Sequence, residues 1–260
     1  MDPEHMQFFY EIFDSSLPRL GPGDNASTRK ALEMLNSAKA TSSGIPIKTG
    51  LRVLDIGCGN GAQTIELAKN VSGTILAVDN HQPFLYELQQ RAQEAGVADK
   101  IEVCRKDMSE LGQEQSSYDL IWSEGALYSM GFREGLSMCF NLLSKRGQMA
   151  VSELCWHRPD PPKACSDFFA IEYPAMVDTA TNRDTIKQCG YQLVGLFPLP
   201  SFAWIEGYYL PLEKRLKSMR AQYAAEPEKL DLIESIQVEI DIYRQYGRYY
   251  GYDFYLMQRP

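Results

Sequence analysis

The sequence predicts an α/β protein built on a mostly parallel β-sheet. Short apolar stretches alternate with amphipathic stretches along most of the 260 residues, and strands that alternate with helices form βαβ units. A glycine-rich turn follows the first of these apolar stretches, while two aromatic, proline-containing stretches interrupt the alternation later in the chain. Sheets of this class bind ligands at the carboxyl ends of their strands. A ligand is therefore expected at that edge, next to the interruptions.

The N-terminal part is predicted to be helical. Apolar and aromatic residues recur at helical spacing over 7–20, Gly21 to Asp24 break the pattern, and a helix resumes over Ser27–Leu35. The polar stretch Thr41–Thr49 contains glycine and proline and predicts a linker to the sheet.

Strands and helices then follow in regular order. The predicted strands are Arg52–Ile56, Thr74–Val78, Ile101–Cys104, Leu120–Ser123, Gln148–Glu153, Leu193–Phe197 and Tyr252–Met257. The predicted helices are Ala62–Asn70, Pro83–Ala95, Phe132–Leu143 and Thr181–Cys189, with a long helix or helix pair over Leu212–Gln245.

The interruptions at Leu154–Ala180 and Leu199–Gly251 each follow a predicted strand. Both should therefore extend over the ligand edge of the sheet. With the N-terminal segment, they are interpreted as a cap over the ligand; the alternative is a set of peripheral core helices.

Composition narrows the class of partner. The formal net charge is -8, which disfavours a nucleic-acid substrate because an acidic surface repels polyphosphate. No apolar run approaches the ~20 residues that span a bilayer, and the first residues do not resemble a secretory signal. The six cysteines form no CxxC pair and there are three histidines, so no metal site is expected and the thiols are interpreted as reduced, in a cytoplasmic protein.

The strongest local signal is the glycine turn after the first strand. Gly57, Gly59 and Gly61 have the spacing G-x-G-x-G, whereas the dinucleotide fingerprint is G-x-G-x-x-G. Glycines there let backbone N–H groups approach a ligand closely. Asp55 lies two residues before the first glycine, where a carboxylate repels a pyrophosphate but pairs with an amino group, directly or through water. The pattern favours S-adenosylmethionine (SAM), which carries an ammonium and no phosphate, over a nicotinamide cofactor.

The stretch Val53–Gly61 resembles motif I of the class I SAM-dependent methyltransferases, and the resemblance extends from about residue 19 to the C-terminus. It implies a Rossmann-like, doubly wound, seven-stranded, mostly parallel sheet with an antiparallel last strand, plus a partly helical cap. The implied division is an N-terminal segment over 1–48 that contributes to the cap, and a SAM-binding domain over 49–260 with cap insertions at about 154–180 and 199–251. The chain is expected to be a monomer or homodimer.

The resemblance also implies which residues bind the cofactor. Asp79 would accept both ribose hydroxyls, because a carboxylate suits a cis-diol; NAD-binding folds use the same device. Asp107 would accept from the adenine amino group, and the Met108 N–H would meet the ring. The loop after the fourth strand would lie beside the methionine part. The cofactor-binding set is Asp55, Gly57, Cys58, Gly59, Asn60, Gly61, Gln63, Asp79, Asn80, Asp107, Met108, Ser123, Glu124 and Gly125.

Three residues are candidates for catalysis: Glu124, Tyr128 and His157. Glu124 can bind the ligand ammonium, act as a base or only brace its loop, and the sequence does not separate these roles. The cap aromatics Tyr10, Trp156, Tyr173, Trp204 and Tyr208 are predicted to line a substrate pocket, with Tyr209 beside them. A ring near the sulfonium attracts it and excludes water, although each ring taken alone is more typical of a core.

The expected function is in-line SN2 transfer of the SAM methyl group to an N, O, S or C nucleophile of a small molecule, with S-adenosylhomocysteine (SAH) as product. The overall layout resembles small-molecule methyltransferases of the quinone-biosynthesis type. The sequences Trp122–Ala126 and Tyr249–Tyr255 resemble uncharacterised enzymes of anaerobic bacteria and archaea. The alternatives are a non-catalytic SAM-binding regulator, a nicotinamide-dependent oxidoreductase and an aminopropyl transferase, the last without a clear signature.

Overall fold

The computed structural model describes residues 3–43, 50–113 and 117–260. Its strands are β1 (Leu51–Ile56), β2 (Gly73–Asp79), β3 (Ile101–Arg105), β4 (Tyr118–Glu124), β5 (Leu143–Trp156), β6 (Gln192–Pro198) and β7 (Tyr250–Gln258). Its helices are α1 (Pro3–Ile12), α2 (Asn25–Ser43), α3 (Ala62–Asn70), α4 (Gln82–Glu94), α5 (Phe132–Leu142), α6 (Lys163–Glu172), α7 (Thr179–Gln188), α8 (Ser201–Trp204), α9 (Leu210–Gln222) and α10 (Pro227–Tyr246). A π-helical turn, Ile205–Tyr209, joins α8 to α9.

The strands form a seven-stranded sheet in the order β3-β2-β1-β4-β5-β7-β6. The pairs from β3 to β5 are parallel, whereas β7 is antiparallel to both β5 and β6. The two central strands, β1 and β4, are buried almost throughout because they are apolar on both faces, as expected where helices cover both sides of a parallel sheet. The predicted fold class, including the antiparallel last strand, is confirmed.

Two hydrophobic clusters lie on opposite faces of the sheet. In β7, Phe254 and Leu256 belong to the cluster that contains α1, α9 and α10, while Tyr255 and Met257 belong to the cluster that contains α5. Successive side chains of a strand point to opposite faces. The sheet therefore separates the helices predicted as a cap from those that cover its other face.

The predicted strands are all present, and the boundaries differ mainly in β5. This strand begins at Leu143, directly after α5, rather than at Gln148. Helix α6 lies within the stretch Leu154–Ala180, to which the sequence assigned no secondary structure. The region Leu212–Gln245 proves to be the pair of helices α9 and α10, with Pro227 at the start of the second.

Two predictions for the N-terminal part are wrong in their extent. The helix predicted over 7–20 ends at Ile12; beyond it the Asp14 side chain binds the Ser16 N–H, and side chains elsewhere in the fold bind the carbonyls of Ser15 and Leu17, while Pro18 prevents a helix from resuming across it. Helix α2 extends through Ser43, so the predicted linker Thr41–Thr49 begins inside a helix, and its remainder, 44–49, lies outside the described residues.

The three stretches predicted as a cap lie on the same side of the sheet. Phe8 of α1, Phe169 of α6 and Trp204 of α8 are buried in one cluster with Ile240 of α10. The division of the chain into a cap and a SAM-binding domain stays a prediction. Across 3–43, 50–113 and 117–260, no helix combines the length and the apolar character needed to cross a membrane.

Candidate active site

The loop between β1 and α3 is built around three glycines in left-handed conformations. Gly57, Gly59 and Gly61 have φ values of 69°, 52° and 86°. Residues other than glycine adopt such values only at a cost in free energy. A Cβ on Gly57 would lie 2.3 Å from the Cβ of Ala126, and one on Gly61 would lie 2.1 Å from Leu88 Cδ1. The loop therefore needs these glycines both for its backbone path and for its close contacts with the loop after β4 and with α4.

Asp79, the last residue of β2, holds the glycine loop from the side. Its Oδ2 accepts a hydrogen bond from the Gly59 N–H at 3.0 Å, and its Oδ1 accepts from the His81 N–H at 2.9 Å. Burial raises the pKa of this carboxyl above its usual value, although the backbone hydrogen bonds oppose the shift. Each carboxylate oxygen has a second lone pair, so Asp79 can also accept from hydroxyl groups of a ligand.

Asp55 lies beneath the glycine loop and is completely buried. Its Oδ2 accepts from the Thr64 hydroxyl at 2.6 Å, while its Oδ1 has no partner with normal hydrogen-bond geometry among the described residues, although the Gln63 amide is close enough to stabilise the charged form. Burial raises the pKa of the Asp55 carboxyl to about 7, and the negative charge of Glu124 contributes. An unpaired, buried carboxyl oxygen is costly, and it is a feature that a cationic ligand would relieve.

Glu124, at the end of β4, is held by three donors from different elements. Its carboxylate accepts from the Thr28 hydroxyl at 2.7 Å, from the Trp122 Nε1–H at 2.9 Å and from the Arg19 guanidinium at 3.3 Å. The Glu124 and Arg19 side chains are 5% and 9% exposed, so this ion pair is shielded from water. The arrangement favours the bracing role for Glu124 over the role of a free base.

The segment between α1 and α2 crosses the glycine loop. The Asn60 side chain donates to the carbonyl oxygens of Ser15 at 3.0 Å and Leu17 at 2.6 Å, and Arg91 of α4 donates to the same two oxygens. Leu20 then lies against Gly59. These contacts place the N-terminal segment directly over the loop that is predicted to bind the cofactor.

A cavity of about 520 Å³ extends from the glycine loop into the space beneath the cap helices. This volume is in the range of small-molecule binding sites. One end is lined by the glycine loop, Asp79, Met108 and the loop after β4, and is covered by Arg19–Pro22. The other end is lined by aromatic residues of the cap and of β7.

Stacked rings form much of the cap end of the cavity. Trp204 lies between Tyr243, at a centroid distance of 4.4 Å, and Tyr252, at 5.2 Å. Glu239 of α10 lines this end and accepts a hydrogen bond from the Tyr209 hydroxyl at 2.9 Å. Burial raises the pKa of Glu239 to about 6. An acidic group is therefore embedded among aromatic rings.

Most of the predicted site residues line this single cavity. From the predicted cofactor set these are Gly57, Cys58, Gly59, Asn60, Gln63, Asp79, Met108, Glu124 and Gly125. From the catalytic and substrate sets they are Glu124, Tyr128, Tyr173, Trp204 and Tyr208. Their roles stay predictions, but the fold brings them together.

The remaining members of the predicted cofactor set do not line the cavity. Besides Asp55, already described, Gly61 caps α3 against Leu88, and the Ser123 hydroxyl donates to the Ile56 carbonyl between β4 and β1. Asn80 and Asp107 are exposed. Asp107 accepts from the Ser109 N–H and hydroxyl, and the Asn80 side chain also donates to it.

His157 lies on the far side of β5 and β7 from the cavity. Its Nε2 is 3.0 Å from Asp253 Oδ1, and the Cys155 thiol and the Thr179 hydroxyl bond to the other oxygen of that carboxylate. Burial acts to raise the pKa of Asp253, but the hydrogen bonds from His157 and Thr179 outweigh it and lower the pKa. This placement gives His157 a structural partner and no access to the cavity.

Two of the predicted substrate-pocket aromatics lie behind the lining. The Tyr10 ring stacks on His81 at 3.6 Å. Trp156 packs edge-on against Phe169 and Tyr250, at 5.5 Å and 6.3 Å. Trp156 thus supports two residues that do line the cavity.

Sequence reasoning did not select several lining residues, of which Arg19 and Glu239 matter most chemically. Glu239 had a detectable signal, since it lies three residues after Ile236 and four before Tyr243, on the buried face of α10. A charged residue on an apolar helix face points to a site. Arg19 had no such signal, because its segment was predicted to be helical.

Comparisons with known proteins agree with this geometry. A family model described as "Methyltransferase domain" matches residues 47–219. The 27-O-demethylrifamycin SV methyltransferase of Amycolatopsis mediterranei is 24% identical over 158 residues, which cover 61% of this chain and 53% of that protein. The demethylmenaquinone methyltransferase of Lactiplantibacillus plantarum is 32% identical over 127 residues, which cover 48% of this chain and 53% of that protein. The chain thus spans about half the length of these relatives.

The fold also matches solved structures. A SAM-dependent methyltransferase from Geobacter sulfurreducens, crystallised with SAH, superposes with a TM-score of 0.78 at 18% identity, covering 98% of each chain. Because the family model matches more than half of the residues, and its match includes the glycine loop, Asp79 and the β4 loop, the chain belongs to the methyltransferase domain family.

Proposed function

We propose that the protein transfers the methyl group of SAM to a small-molecule acceptor bound in the cap end of the cavity. The observation that carries this proposal is the glycine loop with two carboxyls around it, the half-buried Asp79 in the cavity lining and the fully buried Asp55 behind the loop. A ligand with an ammonium group and a cis-diol fits these two acids, whereas a pyrophosphate does not. Membership of the family supports the same ligand.

We propose a place for each part of the methyl donor. Asp79 would accept from the ribose hydroxyls, and the glycine backbone would lie against the adenosine. The methionine part would lie toward the β4 loop, and Asp55, which lies behind the lining, would act on its ammonium through water. Arg19 retains guanidinium N–H groups beyond those that bind Glu124 and Asn25, so it is placed to bind the carboxylate.

When bound, SAM supplies a methyl group on a positively charged sulfur, which is already a good leaving group. The protein then has to align the acceptor with the C–S bond and keep water out. The N-terminal segment covers one end of the cavity, and the stacked rings around Trp204 close the other. A general base is needed only for an acceptor that carries a proton of high pKa, which fits the fully engaged state of Glu124.

The acceptor is proposed to be a small molecule because the cavity volume is in the range of small-molecule binding sites. All six cysteines are free thiols, which supports the proposal of a reducing, cytoplasmic setting. The assignment to monomer or homodimer stays a prediction.

The second candidate is a SAM-binding regulator without catalysis, because the same loop would serve it. Isothermal titration with SAM and with NAD tests the cofactor, and heat from NAD with none from SAM would refute the proposal. Formation of SAH from labelled SAM across a metabolite panel separates the enzyme from the regulator, since a regulator binds SAM without turnover.

A further inference from the structure

The charged groups that line the cavity are predominantly acidic. Asp79, Glu124, Glu172 and Glu239 carry carboxyls, and Arg19 is the one cationic side chain among the lining residues that the structure describes. Arg19 lies at the other end, near the glycine loop, where it pairs with Glu124. The cavity therefore has no free positive group for a carboxylate or phosphate at its cap end, and an anionic acceptor would meet net repulsion.

Two acids of the cap helices line the cavity: Glu239 of α10, which is half-buried, and Glu172 of α6, which is exposed and whose charge acts on Glu239. Glu239 accepts from the Tyr209 hydroxyl, and its charge adds to burial in raising the pKa of five tyrosines: Tyr128, Tyr208, Tyr209, Tyr250 and Tyr252. These five residues all line the cavity with Glu239. Rings around a carboxylate form a site that attracts a positive charge, because each ring face is electronegative.

Two lining side chains also have unused polar atoms. Trp204 Nε1 and the Tyr250 hydroxyl are buried and have no hydrogen-bond partner in the part of the chain that the structure describes. A buried polar group without a partner costs free energy. Both residues line the cavity; the Tyr250 hydroxyl can accept a hydrogen bond from an ammonium group, whereas the Trp204 Nε1–H only donates and needs an acceptor.

We propose that the methyl acceptor is an amine, bound in its cationic form against the Glu239 carboxylate and within the cage of tyrosine and tryptophan rings. The inference rests on the proposed function and adds the chemical class of the acceptor. The acids provide the charge, and the rings provide an apolar surface for the carbon skeleton. An uncharged alcohol of the same shape fills the site without the ionic contact, and a carboxylate is repelled.

The proton balance of the transfer assigns a second task to Glu239. The ammonium gives one proton to the Glu239 carboxylate, which frees the nitrogen lone pair. This lone pair forms the N–C bond to the methyl carbon of SAM as the C–S bond breaks. The electrons of the broken C–S bond remain on sulfur. The products are SAH, the methylated ammonium and a protonated Glu239, which loses its proton to solvent afterwards.

The test uses three ligands that share one carbon skeleton: 2-phenylethylamine, 2-phenylethanol and phenylacetate. Their binding to the full chain is measured near neutral pH by ligand-observed NMR, with SAH saturating the cofactor end. The variant is Glu239→Gln, which keeps an oxygen to accept from Tyr209. The control is Glu228→Gln, the same change at an exposed position of the same helix. Titration with SAM is performed on all three proteins.

We expect the amine to bind roughly ten- to thirtyfold more tightly than the alcohol, and phenylacetate to bind most weakly. In Glu239→Gln the preference for the amine should fall severalfold while SAM binding is retained, because only Glu172 keeps its charge near this end, and Glu228→Gln should behave as the unsubstituted protein. SAM binding with no preference for the amine, or with a preference that Glu239→Gln leaves unchanged, would overturn the inference alone. No SAM binding by the unsubstituted protein would refute the proposed function and the inference with it.

Discussion

Asp55→Asn tests whether the buried carboxyl beneath the glycine loop destabilises the protein when no ligand is bound. Asp55 is fully buried with one oxygen unpaired, and burial raises its pKa from 3.8 to about 7. Since the pKa in the folded state is above that in the unfolded state, the folded protein holds the proton more tightly. Asp55 therefore contributes to the free energy of unfolding through its tightly held proton. This contribution is fully present below pH 3.8 and is lost as the pH rises through about 7.

The size of the effect follows from the pKa shift. One unit corresponds to about 1.4 kcal/mol, so between about pH 5 and about pH 8 ionisation of Asp55 should cost roughly 2–3 kcal/mol of the free energy of unfolding. Asparagine keeps an acceptor for Thr64 and does not titrate. From about pH 5 to about pH 8, the free energy of unfolding of Asp55→Asn should therefore fall by roughly 2–3 kcal/mol less than that of the unsubstituted protein. The variant should also bind SAM more weakly.

The assay is urea unfolding of the SAM-free protein at these two pH values, with Asp99→Asn, at an exposed carboxyl, as control. Glu153 and Glu239 also have raised pKa values, about 7 and about 6, so the unsubstituted protein and the control keep a common background slope. The reasoning fails if Asp55→Asn shows the same loss of stability from the lower to the higher pH as the unsubstituted protein.

Three further predictions address the cofactor end. Asp79→Ala should weaken SAM binding about tenfold or more in a calorimetric titration, because a charged hydrogen bond contributes roughly 1.5–3 kcal/mol; unchanged affinity would remove Asp79 as the ribose ligand. Gly61→Ala should destabilise the fold by about 1–3 kcal/mol more than Gly96→Ala, since both glycines have positive φ but only Gly61 has Leu88 within 2.1 Å of a Cβ; equal losses in urea unfolding would contradict this. Asn60→Ala should speed hydrogen exchange in residues 13–20, and unchanged exchange would show that Arg91 alone holds the segment.

The sequence predicted the sheet and the cofactor end well because both depend on local patterns. Alternating apolar and amphipathic stretches located every strand, and the G-x-G-x-G spacing identified a loop whose backbone requires glycine at all three positions. Asp79 could be placed because the carboxyl ends of neighbouring parallel strands meet at one edge of the sheet.

The cap end was less predictable because its contacts join residues far apart in the chain. Tyr10 and Trp156 have the same character as Trp204, yet only Trp204 lines the cavity, and periodicity does not distinguish a ring in the lining from one behind it. His157 was selected as a candidate base, but its partner Asp253 is 96 residues away. Arg19 lies in an irregular segment whose path is set by Asn60 and Arg91 rather than by its own sequence.

The position of β7 has a consequence for the order in which the chain acquires its structure during synthesis. β7 lies between β5 and β6 and pairs with both, so β6 cannot join the sheet until the ribosome has released the chain as far as about Gln258. The parallel part, from β1 to β4, pairs without β7. In the nascent protein, the edge of β5 that pairs with β7 should therefore stay exposed until late in translation. A chaperone can bind this edge until then.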